Sequence, residues 1–158
     1  DSLTIYFSNG TYTTIVIATS GAAPGCVQIG DYHAGGIVFQ VDSTCIHGLV
    51  VTAYDLNNYG FNTSYYDAIS VCNSVKANGY TDWYLPDLLE LNSVYTNLGN
   101  AGFRLDEWTG STDPYVRYYW SSTQNPPAGG AWAINFEDGF QQVKSLNNDL
   151  RIRAIRAF

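Results

Sequence analysis

Gly79-Tyr80-Thr81-Asp82-Trp83-Tyr84-Leu85-Pro86-Asp87-Leu88-Leu89-Glu90-Leu91 runs an aromatic strand into a proline and then directly into a helix. Trp83 and Leu85 alternate with Asp82 and Tyr84, the period-two pattern of a half-buried strand. Pro86 stands where a first helical residue loses nothing by lacking an N–H. Beyond it Leu88, Leu89, Leu91, Val94, Tyr95 and Leu98 fall at helical spacing, while Asp87 and Glu90 place negative charge in the first turn, against the helix dipole. The stretch joins two halves of one domain. Its aromatic and acidic side chains are read as builders of the core, with no chemistry of their own.

On the N-terminal side, a helix is expected from Ser64, its cap, with Tyr65, Ala68, Ile69, Cys72 and Val75 on the apolar face and Asn78-Gly79 as a glycine C-cap. Ahead of it come a polar loop over Asp55–Thr63 and two apolar strands, Ile37–Val41 and Cys45–Ala53. Gly35-Gly36 is not followed by Lys-Ser/Thr or Gly-x-Gly-x-x-Gly, so it reads as a tight turn rather than a phosphate loop. His33 and His47 are not at ligand spacing and are assigned structural hydrogen bonds. Residues 3–19 form a hairpin around Asn9-Gly10, and Ser20–Gly25 is a small-residue connector. The chain therefore divides into a hairpin and connector, 1–27, and a body, 28–158, expected to act as one structural unit.

At 158 residues there is room for one full core. Thirteen Tyr, seven Phe, four Trp, fifteen Gly and no Met favour short strands and loops over a helical bundle, and with the two helices give an α+β class. No stretch has the apolar length of a membrane span, so membrane insertion is not expected. Without a methionine at residue 1 or a signal-peptide pattern, the expectation is a mature segment excised from a longer chain. Cys26, Cys45 and Cys72 lack zinc spacing. Either one disulfide forms, leaving one thiol over, or all three are small buried hydrophobes. If a bridge forms, Cys26 with Cys45 is the pair, because they flank one strand pair.

The net charge of −7 argues against a nucleic-acid partner. The charge is uneven, however: residues 144–158 carry Lys144, Arg151, Arg153 and Arg156 against Asp149 alone. The last third reads as strands over Tyr115–Ser121, Ala131–Phe136, Phe140–Lys144 and Leu150–Phe158, with a long loop at Ser122–Gly130 and turns at Glu137-Asp138-Gly139 and Ser145–Asp149. In the closing strand Leu150, Ile152 and Ala154 alternate with Arg151, Arg153 and Ile155, which predicts one apolar face and one face of guanidinium groups, a candidate anion site.

Four segments together resemble a known bacterial domain. They are Gly35-Gly-Ile-Val-Phe-Gln-Val-Asp with His47-Gly-Leu; Asp82-Trp-Tyr-Leu-Pro-Asp with Glu90-Leu; Tyr119-Trp-Ser-Ser-Thr; and Ala131-Trp through Asp138-Gly139 to Arg153-Ala-Ile-Arg-Ala-Phe. In that order they are similar to the family typified by the C-terminal domain of the Legionella collagen-like adhesin, over roughly residues 28–158. The resemblance implies a C-type-lectin-like or sulfatase-modifying-factor-like arrangement of mixed short-strand sheets with two helices and long loops. It also implies a secreted or surface-displayed head that binds sulfated glycosaminoglycan, of the heparin or chondroitin sulfate type, as a homotrimer on a collagen-like stalk.

Sulfate esters require cationic hydrogen-bond donors, so Lys144, Arg151, Arg153 and Arg117 are the candidate glycan-binding residues. Arg153 and Arg156 belong to the shared closing motif, where structural salt bridges are an equal expectation. Lys144 and Arg151 lie outside its tightest part and are preferred for a ligand. Two other readings stay open. One is a trimerisation or receptor-binding module with no glycan. The other is a calcium-dependent lectin using Glu137, Asp138, Asn147, Asn148 and Asp149, although no EF-hand spacing is present and no cofactor is otherwise expected. No enzyme is expected: Gly-x-Ser-x-Gly and His-Glu-x-x-His are absent, and the last cysteine, Cys72, is far from the C-terminal cysteine pair that sulfatase-modifying chemistry implies.

Overall fold

The computed structural model describes residues 2–6, 12–16, 25–56, 63–99 and 117–158. The expected turn at Asn9-Gly10, most of the 20–25 connector, the middle of the Asp55–Thr63 loop, the stretch holding Phe103, Arg104 and Trp108, and the strand start at Tyr115 lie outside the described residues. An N-terminal hairpin pairs β1 (Ser2–Tyr6) with β2 (Tyr12–Val16), Ser2 opposite Val16 and Tyr6 opposite Tyr12.

Two antiparallel sheets follow. The first orders β3 (Tyr32–His33), β4 (Gly36–Val41), β5 (Gly48–Val51) and β9 (Ile155–Ala157) side by side. The second orders β6 (Tyr118–Asn125), β7 (Gly130–Asn135) and β8 (Gln141–Ser145). With helices α1 (Tyr65–Ser74) and α2 (Leu88–Leu98), the class is α+β. Ala34 and Gly35 both have positive φ and turn β3 into β4, so the expected tight turn falls one residue earlier than the glycine pair, with Gly36 already in β4 opposite His33.

Successive strand residues supply two cores, as alternating side chains must. Val38, Val50, Trp120 and Ala133 pack with Tyr65, Ala68 and Cys72 of α1, whereas Phe39, Val51, Tyr119 and Ile134 pack with Leu91, Val94 and Leu98 of α2. A bulge at Phe39 breaks the β4–β5 register, and Asn97 of α2 donates to the Phe39 carbonyl at 2.9 Å. Cys72 is a buried free thiol whose pKa burial pushes up to about 12, and Cys26 is bridged to Cys45.

The Gly79–Leu91 stretch ties both cores together. Trp83 and Leu85 are buried in the α1 core, Asp82 is exposed, and Tyr84 exchanges backbone bonds with Ile155 at 2.9 Å. Here two expectations are corrected. Pro86 lies before the helix, not in it: Asp87 is the N-cap, its Oδ1 accepting from the Glu90 N–H while Glu90 Oε2 accepts from the Asp87 N–H, both at 2.8 Å. Leu89 is exposed, because the capped helix begins two residues past the proline and turns position 89 outward. The bulged middle of β6 meets this stretch: the Ser122 N–H donates to the Pro86 carbonyl at 2.7 Å, and Thr123 Oγ1 accepts from the Leu88 N–H at 2.9 Å.

Helix α1 ends at Ser74, four residues short of the expected close. Asn78 and Gly79 both take positive φ, and with Ala77 paired to Tyr80 they form a tight hairpin turn in place of a helix cap. β6 runs on to Asn125, so the expected loop at 122–130 shrinks to a 3-10 turn at Pro126–Ala128.

The closing segment is the largest departure. Only Ile155–Ala157 is a strand, and residues 152–156 are all buried. The segment laces the molecule: Leu150 pairs with Thr63, Arg151 with β6 at Tyr119, Leu56 N–H donates to Ile152 carbonyl, Thr52 N–H to Ala154 carbonyl, and β9 joins β5. The expected alternation holds, since Leu150, Ile152 and Ala154 face the α1 core. Its other face is not open to solvent.

Candidate functional site

That second face is organised by Asp55, which the sequence showed only as the start of a polar loop. Arg151 Nη1 pairs with Asp55 Oδ2, and Arg153 Nε donates to Oδ1 at 2.5 Å. The Tyr119 hydroxyl donates to the same carboxylate at 2.9 and 3.2 Å. The Asp55 and Arg153 side chains are 6% exposed and Arg151 13%. Charges this buried are tolerable only with such pairing, and removing one member costs about 3–5 kcal/mol. Burial and the neighbouring carboxylate together raise the Tyr119 pKa, which keeps the phenol a donor.

Arg153 also donates through Nη1 to the Thr52 carbonyl at 2.8 Å, so the guanidinium braces the 52–55 segment from behind. In front of that segment lies a cleft of about 740 Å³, walled by Tyr32, Ile37, Tyr54, Leu56 and Ala77. Its rim is pinned where Asn78 Nδ2 donates to the Tyr32 hydroxyl at 2.8 Å and to the Gly35 carbonyl at 3.3 Å. Thr52 lines the cleft at 6% exposure, and among the described residues its Oγ1 meets no hydrogen-bonding partner. Such an orphaned hydroxyl costs about 1–3 kcal/mol. Tyr32, Tyr54 and Thr52 carry no motif, and no local pattern in the sequence marks them.

Arg156 makes a second clamp. Its Nε and Nη2 donate to the Asp82 carboxylate at 2.7 and 3.0 Å, Nη1 donates to the Ala34 carbonyl at 3.1 Å, and the guanidinium lies 3.8 Å over the Tyr80 ring. The bidentate bond holds the Asp82 pKa below the ordinary carboxylate value.

Of the four expected glycan-binding residues, the structure brings Arg151 and Arg153 together on Asp55 and sets the other two elsewhere. Lys144 lies on edge strand β8, its Nζ 3.7 Å over the Tyr118 ring, with its pKa lowered by partial burial. Tyr118 packs on the α1 core and Tyr119 in the α2 core, so Lys144 and the Asp55 cluster occupy opposite faces of the second sheet. Arg117, one residue before β6, is paired with Glu137 at the surface. Of the oxygen donors considered for calcium, Glu137 is thus paired, and Asp138 Oδ1 accepts from the Phe140 N–H at 2.9 Å. Among the described residues no group of three or more His, Cys, Asp or Glu side chains is placed to hold a metal ion. His47 Nδ1 lies 3.6 Å from Asp42, and the His33 ring packs edge-on against Phe158.

Two helices flanking antiparallel sheets, with a C-terminal segment clamped by buried arginines, define an α+β domain built to hold a rigid surface. Residues 40–156 match the family model of the Lcl C-terminal domain, and the chain belongs to that family. Membership makes it an adhesin-related domain, in the setting of collagen-like adhesins and of surface or secreted proteins. No curated protein matches the chain. No described helix is long and apolar enough to cross a membrane.

Proposed function

We propose that this chain is the recognition head of a surface-displayed adhesin, lectin-like in arrangement, which binds sulfated glycosaminoglycan and reaches working affinity as a homotrimer. Three heads on one stalk turn weak contacts into a strong one through effective concentration. The observation that carries the proposal is the placing of Lys144. On an edge strand of an acidic body, an ammonium is half withdrawn from water over the Tyr118 ring. Burial disfavours its charged form, and a sulfate arriving there would add an anionic partner to the ring contact that Lys144 already makes. Arg117, partly exposed and one residue from Tyr118, is the second basic group of the site, and it would exchange Glu137 for sulfate. Arg151 and Arg153 serve as positioning residues, because substituting either disturbs the buried cluster before it touches a ligand.

Surface plasmon resonance on immobilised heparin tests the proposal with wild type and the Lys144→Met/Arg117→Gln double variant. Binding should fall at least about tenfold in the variant and weaken steeply with salt, as screened ionic contacts do. Equal binding by both proteins rejects the site. Light scattering on the same samples should give a mass three times that of the chain.

A further inference from the structure

Beside the basic edge, the cleft in front of Asp55 has its own chemistry. Tyr54 is 75% exposed and Tyr32 63%, so two phenol rings stand largely uncovered around an otherwise apolar hollow. Tyrosine offers an apolar body with a polar tip, which suits a ligand carrying both kinds of surface. The volume falls in the range of small-molecule sites, and such sites combine apolar walls with a few placed polar groups. Here those groups are the exposed Tyr54 phenol and the Asn78 amide on the rim.

Charge decides what kind of ligand fits. Among the described residues lining the cleft, Asp55 is the one charged side chain, and its carboxylate is already met by two guanidiniums and a phenol. An anionic ligand finds no cation among the described lining residues and approaches a chain of net charge −7. A cationic ligand would have to displace an arginine from a buried pair. A ligand without charge meets neither obstacle.

We propose that this cleft binds a neutral pyranose, its C–H face laid on Tyr54 and Tyr32 and one ring hydroxyl brought to the Asn78 amide on the rim. The braced wall explains why the cleft is preformed: Arg153 holds the Thr52 carbonyl and Asp55 together, so the sugar-facing segment does not need ordering on binding. The site lies apart from Lys144 and works whether or not that edge binds sulfate.

Saturation-transfer NMR with the methyl glycosides of glucose, galactose, mannose and N-acetylglucosamine tests it, with glucuronate and glucosamine as charged controls. At least one neutral glycoside should receive transfer, more strongly than either charged sugar, and should keep it in about 0.5 M NaCl. Tyr54→Ala, which truncates an exposed side chain and leaves the core alone, should weaken that glycoside about tenfold. Tyr32→Ala, which truncates the second exposed ring, should weaken it several-fold. Heparin binding should be unchanged in both variants. Absence of transfer from every neutral glycoside, a preference for a charged sugar, or equal transfer in Tyr54→Ala overturns the proposal, while loss of heparin binding alone would bear only on the Lys144 edge.

Discussion

Asp55 and Asp82 do the same chemical job at two depths. Each holds arginines of the closing segment, Asp55 gripping Arg151 and Arg153, and Asp82 gripping Arg156. Asp55 is 6% exposed and receives a third bond from Tyr119; Asp82 is 58% exposed, and its guanidinium is backed by Tyr80. The two clamps differ in geometry, since Asp55 takes one bond from each of two guanidiniums and Asp82 takes two from one. Burial of the carboxylate separates them further: water screens the exposed Asp82, whereas loss of Asp55 leaves two desolvated cations without their shared carboxylate.

The largest effect is therefore expected at Asp55. Asp55→Ala should lower stability by about 3–5 kcal/mol in urea titration, enough to unfold a marginal domain. Tyr119→Phe keeps the ring in its core and removes one donor to a charged acceptor; a loss of about 1.5–3 kcal/mol is expected by the same method. Asp82→Ala should cost about 1–2 kcal/mol, because solvent screens the exposed carboxylate while the buried Arg156 keeps the Ala34 carbonyl and the Tyr80 ring as partners. The same pair has a pH signature. The Asp82 pKa is lowered in the fold, so its contribution is fully present above the unfolded value of about 3.9 and is lost as pH falls through the folded value beneath it. Thermal melts should thus show a slightly flatter acid limb for Asp82→Asn below about pH 4 than for wild type. Smallest of all, Lys144→Met should change stability by no more than about 0.5 kcal/mol while reducing heparin binding; a large loss of stability would make Lys144 a third clamp rather than a contact.

Much of the scaffold was legible because its signals are local. The alternation of Trp83 and Leu85, the acidic first turn of α2, the glycine turn before β4 and the Cys26–Cys45 pairing each follow from residues a few positions apart, or flanking one strand pair. Local signals also misled. Asn78-Gly79 looks the same whether it caps a helix or turns a hairpin, and the choice fell to the pairing of Ala77 with Tyr80. The Asp55 cluster was not legible at all. Its arginines are 96 and 98 residues away, and on the sequence an arginine every second position looks the same in a solvated strand as in a buried seam. The missing fact was that a carboxylate from the 52–56 segment would arrive on that face. The basic tail consequently read as one surface, whereas the fold distributes it among a buried cluster, a rim clamp and one edge-strand lysine.

Asp55 and the arginines of the closing segment should act as a coupled unit that holds the two sheets together. A double-mutant cycle on Asp55→Asn and Arg153→Met, measured by urea unfolding, tests it most directly. A coupling energy of at least about 2 kcal/mol is predicted, with the double variant less destabilised than the sum of the singles. Additivity within about 0.5 kcal/mol would contradict the account.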